Sequence, residues 1–198
     1  TLLHISTDFV FDGNLENLSP RAQSRGYNEE DIPNPTGVYG QTKLDGEKAI
    51  QQTWEKYFII RTSWVYSQFG NNFMKTMLRL ASERVTISVV NDQVGTPTNA
   101  VDLAEILVKI ILTDNQQPTT NNFGIYNFSN EGQCSWYDFA KEIFKQNNIS
   151  INLLPIPTSS YPTTAKRPRF SVLDKTKIKK KFNIQINFWY KSLEELNN

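Results

Sequence analysis

The chain has 198 residues, 38% hydrophobic and 21% charged, which is enough to bury the core of one domain or two small ones. Its 21 Lys and Arg against 20 Asp and Glu leave a formal net charge of +1, so no global field selects nucleic acid or an anionic membrane. One cysteine and one histidine give neither an internal disulfide nor the usual zinc ligands, and no apolar run approaches the ~18–20 residues of a membrane span; a cytoplasmic protein without metal, membrane or nucleic-acid partners is expected.

In chain order, short apolar and β-branched runs predict strands over 2–6, 57–63, 85–90 and 124–129. Apolar spacing of three and four predicts helices over 38–54, 72–83, 100–113 and 135–147. In the third helix Leu103, Ile106, Leu107, Ile110 and Ile111 form one apolar stripe, and in the fourth Ser135 and Asp138 approximate a capping box. Turn-rich loops are expected over 12–35, 91–99, 114–122 and 155–168. The lysine-rich tail 175–181 reads as a helix face carrying Ile178 and Phe182, with solvated lysines around it. The alternation of strand and helix predicts an α/β fold.

Tyr39 and Lys43, at i and i+4, share one face near the start of the first helix. A cation beside a phenol favours the phenolate and brings an ordinarily weak acid closer to use near neutrality. The spacing alone is weak, since a half-buried tyrosine beside a solvated lysine has the same signature. Thr7 and Asp8 end the preceding strand, where ligands bind in open α/β sheets. A hydroxyl there, with the tyrosine and lysine on the next helix, suits hydride reduction of a carbonyl or its reverse. The plain alternative for Thr7 is a hydroxyl capping a turn. Trp64, just after a strand, is either core or a platform for a sugar ring. Asn72 and Gln93 either bind a ligand or close their own turns. Arg167 is either a diphosphate fork or a surface arginine beside a proline, and Arg61, within a strand-like run, is expected to serve structure.

The runs Ser6-Thr7-Asp8 through Gly13, Asn34-Pro35 through Tyr39-Gly40-Gln41-Thr42-Lys43, Arg61-Thr62-Ser63-Trp64, Gly70-Asn71-Asn72-Phe73 and Asn91-Asp92-Gln93 through Pro97 resemble, in order, the motifs of the dTDP-4-dehydrorhamnose reductase family of extended short-chain dehydrogenases/reductases. The resemblance implies a partial Rossmann fold, a doubly wound parallel sheet, with a smaller α/β substrate-binding domain. The expected division is 1–64 for the remaining Rossmann portion, 65–98 for a substrate-binding segment, 99–129 for a returning Rossmann helix and strand, and 130–198 for the C-terminal substrate-binding domain. It also implies NADPH- or NADH-dependent reduction of dTDP-4-dehydrorhamnose to dTDP-L-rhamnose for cell-surface polysaccharide. Tyr39 is then the proton donor, Lys43 the residue that holds the nicotinamide ribose and tunes Tyr39, and Thr7 their assistant. Thr7, Asp8, Trp64, Asn72, Gln93 and Arg167 fall to the nucleotide sugar.

The glycines nowhere form a dinucleotide fingerprint. The expectation is therefore a chain cut in mid-domain, lacking the N-terminal dinucleotide-binding segment, inactive alone and prone to self-association as a homodimer. A longer loop over 14–27 departs from the family pattern. Alternative readings are a regulatory subunit of the kind that binds a methionine adenosyltransferase, or another nucleotide-sugar epimerase or dehydratase.

Overall fold

A computed structural model of the protein describes residues 1–116, 122–161, 163 and 166–197. In chain order its principal elements begin with β1 (Leu2–Thr7), α1 (Pro20–Arg25), α2 (Val38–Thr53), β2 (Tyr57–Thr62) and β3 (Val65–Tyr66). They continue with α3 (Phe73–Glu83), β4 (Thr86–Val90), β5 (Val94–Gly95), β6 (Thr98–Asn99), α4 (Ala100–Gln116) and β7 (Gly124–Asn127). The last are β8 (Cys134–Ser135), α5 (Trp136–Gln146), β9 (Asn152–Ile156), α6 (Thr176–Phe182) and α7 (Trp189–Glu194).

Strands β1, β2 and β7 form a parallel sheet in that order, with Thr7 opposite Thr62 and Arg61 opposite Asn127. Phe58 and Ile60 of β2 meet Leu103 and Ile110 of α4 and Ile178 and Phe182 of α6 in one apolar cluster. On the other face, Ser6 and Arg61 turn toward α2 and meet Glu47. The outer edge of β7 is closed by side chains: Glu29 accepts the Asn127 N–H at 2.8 Å and Lys177 donates to the Ile125 carbonyl at 2.8 Å. Such cover blocks the pairing of a foreign strand.

A second lobe packs α3 and α5 against the parallel pair β4 and β9. Its cluster includes Met74, Met77, Ile87, Phe139, Ile143 and Trp189, all from 65–98 and 130–198. Segment 169–174 joins the lobes. Val94 donates to the Arg169 carbonyl and Ser171 to that of Val94, while Tyr27 donates to Val172 and Asp174 to Tyr27.

The predicted strands and the four long helices are present, and the capping box at Ser135 and Asp138 is complete. Several details differ. The expected loop 12–35 contains α1, started by Ser19 accepting the Ala22 N–H with Pro20 next, and stopped at Gly26 with φ 91°. β9 escapes a strand reading because Pro155 interrupts it; in a two-stranded sheet that proline can face an open edge. α7 was not foreseen, being too short to show a period. Ile111 is 41% exposed and leaves the apolar stripe of α4. That helix also runs on to Gln116, so the rest of the expected 114–122 loop lies largely outside the described residues, as do 162, 164 and 165 of the 155–168 loop. The tail lysines are not all solvated: Lys175 is buried and Lys179 pairs with Glu131 at 2.6 Å.

Candidate active site

At Thr7 the chain leaves β1 and enters a single tight turn over Asp8–Val10, whose first free N–H, that of Phe9, is accepted by Thr7 Oγ1 at 3.2 Å. Thr7 and Asp8 therefore stand at the C-terminal tip of a parallel strand. The Thr7 hydroxyl donates to Asp8 Oδ1 at 3.1 Å. Asp8 is 2% exposed, and among the described residues its Oδ2 makes no hydrogen bond of good geometry. Burial pushes its carboxyl from 3.8 up to about 6, against the lowering effect of the Ser171 and Thr7 hydroxyls and of backbone N–H groups.

Helix α2 is fastened to this tip turn by turn. Gly40 lies so close to the Phe9 carbonyl oxygen that a Cβ would collide with it, and the Tyr39 ring meets Phe9 edge-on at 5.7 Å. One turn on, Lys43 Nζ donates to the Ile5 carbonyl at 2.5 Å. Another turn on, Glu47 is completely buried, accepts the Ser6 hydroxyl at 2.5 Å and pairs with Arg61 at 2.6 Å. Arg61 also lies 5.2 Å from the centre of the Phe11 ring. Breaking such a buried pair by removing one partner costs about 3–5 kcal/mol, so α2 has one rotational setting on the sheet. In that setting Tyr39 remains 57% exposed, its phenol available to a ligand above the strand tip.

Trp64 follows β2 with a left-handed backbone, φ 47°, a conformation that costs a side-chain-bearing residue about 1–3 kcal/mol. Two bonds hold it there: Thr98 N–H to the Trp64 carbonyl at 3.2 Å, and the Ser63 hydroxyl to the Thr96 carbonyl at 2.7 Å. The ring then covers Gly95, where a Cβ would lie 2.6 Å from it and 2.9 Å from Ser171 Oγ. Its outer side stacks on Trp136 at 3.5 Å and 9°. Trp136 is in turn a wall of a cleft of about 550 Å³ that Phe73, Gln93, Tyr161 and Arg167 also line. Contacts thus run unbroken from Asp8 through Ser171 and Gly95 to Trp64, Trp136 and the cleft.

The structure brings Thr7, Asp8, Tyr39 and Lys43 to one strand tip, and Gln93 and Arg167 to one cleft joined to it by Trp64. Gln93 is buried and donates from Nε2 to Thr158 Oγ1 at 3.1 Å, so it also ties the cleft wall together. Asn72 does not line the cleft. It caps α3 by accepting the Lys75 N–H at 3.1 Å, and its amide donates to the Ser67 carbonyl at 2.7 Å, which is the turn-closing alternative. Among the residues not put forward from sequence, Glu47 had a readable signal, lying on the Tyr39 and Lys43 face at a further four residues. Ser171 follows the Arg167-Pro168-Arg169 run that resembles the family's late arginine-proline element, but nothing local joined it to Asp8, 163 residues away, and Trp136 had no signal, its partner Trp64 being 72 residues away.

The family model described as the RmlD substrate binding domain matches residues 1–198. The dTDP-4-dehydrorhamnose reductase of Aggregatibacter actinomycetemcomitans is 42% identical over 98% of this chain and 65% of its own length. That of Escherichia coli K12 is 39% identical over 100% and 64%. A crystal structure of the dTDP-4-dehydrorhamnose reductase from Bacillus anthracis in complex with NADP superposes with a TM-score of 0.88 and 40% identity, over 100% of this chain and 65% of that one. The chain therefore spans slightly under two thirds of the relatives it matches. A dTDP-glucose 4,6-dehydratase from the same organism, 15% identical with a TM-score of 0.73, shares the fold.

Proposed function

The chain belongs to the RmlD substrate binding domain family, and on that premise we propose that it serves the NADPH- or NADH-dependent reduction of dTDP-4-dehydrorhamnose to dTDP-L-rhamnose. The observation that carries the reading is the setting of Tyr39 and Lys43 over the tip of β1, fixed by the Lys43 bond to Ile5 and the buried Glu47 contacts. When bound, the dinucleotide supplies a hydride to C4 of the sugar. Tyr39 gives a proton to the carbonyl oxygen as the charge develops there. Lys43 has three donors; one is on Ile5, and the others suit the ribose hydroxyls and the phenolate left on Tyr39. Thr7 supports the same oxygen.

The residues present fit the reacting end of that cofactor, a phenol and an ammonium on one face. Gly13, Gly26, Gly40 and Gly95 are packed against Pro168, Val172, Phe9 and Trp64, close approaches to protein rather than to phosphate. Trp64, packed between Gly95 and Trp136, presents the sugar only the edge of its half-buried ring, and the cleft with Gln93 and Arg167 takes the nucleotide end, the guanidinium suiting a diphosphate. Asn72 contributes by holding the loop before α3. The cluster of Met74, Met77, Ile87, Phe139 and Ile143 supports a substrate portion drawn from 65–98 and the first part of 130–198, whereas Ile178, Phe182 and Ile184 pack with Phe58 and Ile60, so the stretch around α6 goes with the sheet portion of 1–64 and 99–129. The same reading includes a nucleotide-sugar partner, a cytoplasmic location and a homodimer; among the described residues no helix is long and apolar enough to cross a membrane.

The test is calorimetric titration of dTDP-L-rhamnose into this chain and its Trp64→Ala and Arg167→Ala variants, alongside turnover of dTDP-4-dehydrorhamnose by the full-length protein. Saturable binding weakened about tenfold or more by each substitution, with NADPH- or NADH-dependent turnover abolished in Tyr39→Phe, is the expected outcome. A folded full-length protein that neither binds the product nor reduces the keto sugar overturns the reading.

A further inference from the structure

Thr7 has a single hydroxyl proton, and it is already committed. Oγ1 accepts the Phe9 N–H at 3.2 Å and donates to Asp8 Oδ1 at 3.1 Å. A hydroxyl has one donor and two acceptor sites, so in this arrangement Thr7 can offer a ligand only a lone pair. A substrate carbonyl offers only lone pairs too. The threonine can support that oxygen only if its own proton is released from Asp8, and among its hydrogen-bond partners only Asp8 can change roles, from acceptor to donor.

We propose that Asp8 is a positioning residue for Thr7: its protonated form donates to Thr7 Oγ1 and turns the Thr7 hydroxyl onto the substrate carbonyl, whereas its ionised form withdraws that hydroxyl. The inference deepens the carbonyl-reductase reading and rests on it. No proton is consumed. With Asp8 protonated, the Phe9 N–H and the Asp8 O–H fill both acceptor sites of Thr7, and its one proton is free to point outward.

The surroundings suit a carboxyl that changes state in place. Asp8 is buried, Oδ2 lacks a good hydrogen bond, and burial moves its titration up to about 6, so that both forms are populated near neutrality. The charged groups on the elements around it are engaged elsewhere. On α2, Lys43 is on the Ile5 carbonyl and Glu47 is paired with Arg61 of β2. Asp12, on the same loop as Asp8, accepts from Asn14, Asn34 and Tyr27. On the segment bearing Ser171, Arg169 faces Asp92 at 3.6 Å and Arg167 lines the cleft. The Ser171 hydroxyl, which favours the ionised form, trims the range in which Thr7 is turned outward.

Two measurements on the full-length protein test this. The first follows the Asp8 carboxyl carbon by 13C NMR against pH in the wild type and in Ser171→Ala. The second is the pH profile of kcat/KM, which reports free-enzyme ionisations, for wild type, Asp8→Asn, Ser171→Ala and Thr7→Val. In the wild type, kcat/KM should fall as pH rises through the Asp8 midpoint seen by NMR. Ser171→Ala should move midpoint and limb together to higher pH, and Asp8→Asn should remove the limb. Thr7→Val should lower kcat/KM by about a hundredfold and show no such limb. A limb that persists in Asp8→Asn, or that fails to follow the NMR midpoint in Ser171→Ala, overturns the proposal while leaving the reductase reading intact. A wild type that reduces no nucleotide-linked keto sugar at any pH removes both.

Discussion

Asp8 burdens the fold on which it sits. Because burial raises its carboxyl from 3.8 to about 6, the folded chain keeps a proton that the unfolded chain has released over that interval. Stability therefore falls as pH rises from about 4 to 6, and the loss at neutral pH is on the order of 3 kcal/mol. Asp8→Asn removes it. In urea titrations of this chain the variant should unfold at higher denaturant than the wild type at pH 7, and the gap should close by pH 4; a gap independent of pH would mean that Asp8 titrates normally. A residue kept at such a cost is more readily explained by function than by stability. Tyr39 and Lys43 were legible as a pair from their spacing of four, and Thr7 and Asp8 from their place at a strand end. The state of Asp8 was not legible, because it depends on Ser171 and on burial beneath distant segments.

Helix α2 is the element that turns a sequence motif into a site. Its first turns approach the strand tip so closely that residue 40 has no room for a side chain, since the Phe9 carbonyl occupies the place of a Cβ. The obstacle is backbone and cannot rotate away. Gly40→Ala should lift the start of α2 off the tip, lowering stability by about 1–3 kcal/mol and separating Tyr39 from Phe9. Thermal denaturation reads the first effect, and the second appears as a loss of the Tyr39 ring-current shifts on Phe9 in 1H NMR. Unchanged stability together with unchanged shifts would mean the helix is not held as described. Helices α3, α4 and α5 were readable because each repeats an apolar period over three or more turns, whereas the buried face of α2 carries Gly40, Leu44 and Glu47. α1, α7 and β9 were not, since six residues, or five with a proline among them, give too few repeats to distinguish a period from chance.

Across the whole molecule the two lobes share one seam. Tyr27 and Val94 pack into one apolar cluster with Phe170, Val172 and Leu173, and both bond to the 169–174 segment, through the Val172 and Arg169 carbonyls and the Ser171 and Asp174 N–H groups. The amides of Tyr27, Val94, Ser171 and Asp174 should then exchange with deuterium with a common free energy of opening; protection differing by more than about tenfold between Tyr27 and Val94 would show the cluster opening in parts. The seam also places Ser171 against Asp8 and against Gly95 beneath Trp64, which links the reacting end to the cleft. By itself the sequence determined what local rules govern: the α/β alternation, the long helices and the Ser135 capping box, the Tyr-Lys pair, and a family resemblance carried by contiguous motifs. Only the tertiary structure decided which way the other ambiguous side chains were used, sending Gln93 and Arg167 to one cleft and Trp64 onto Trp136. Those outcomes depend on contacts between residues far apart in the chain, and no period or spacing along one segment encodes what another segment will bury against it.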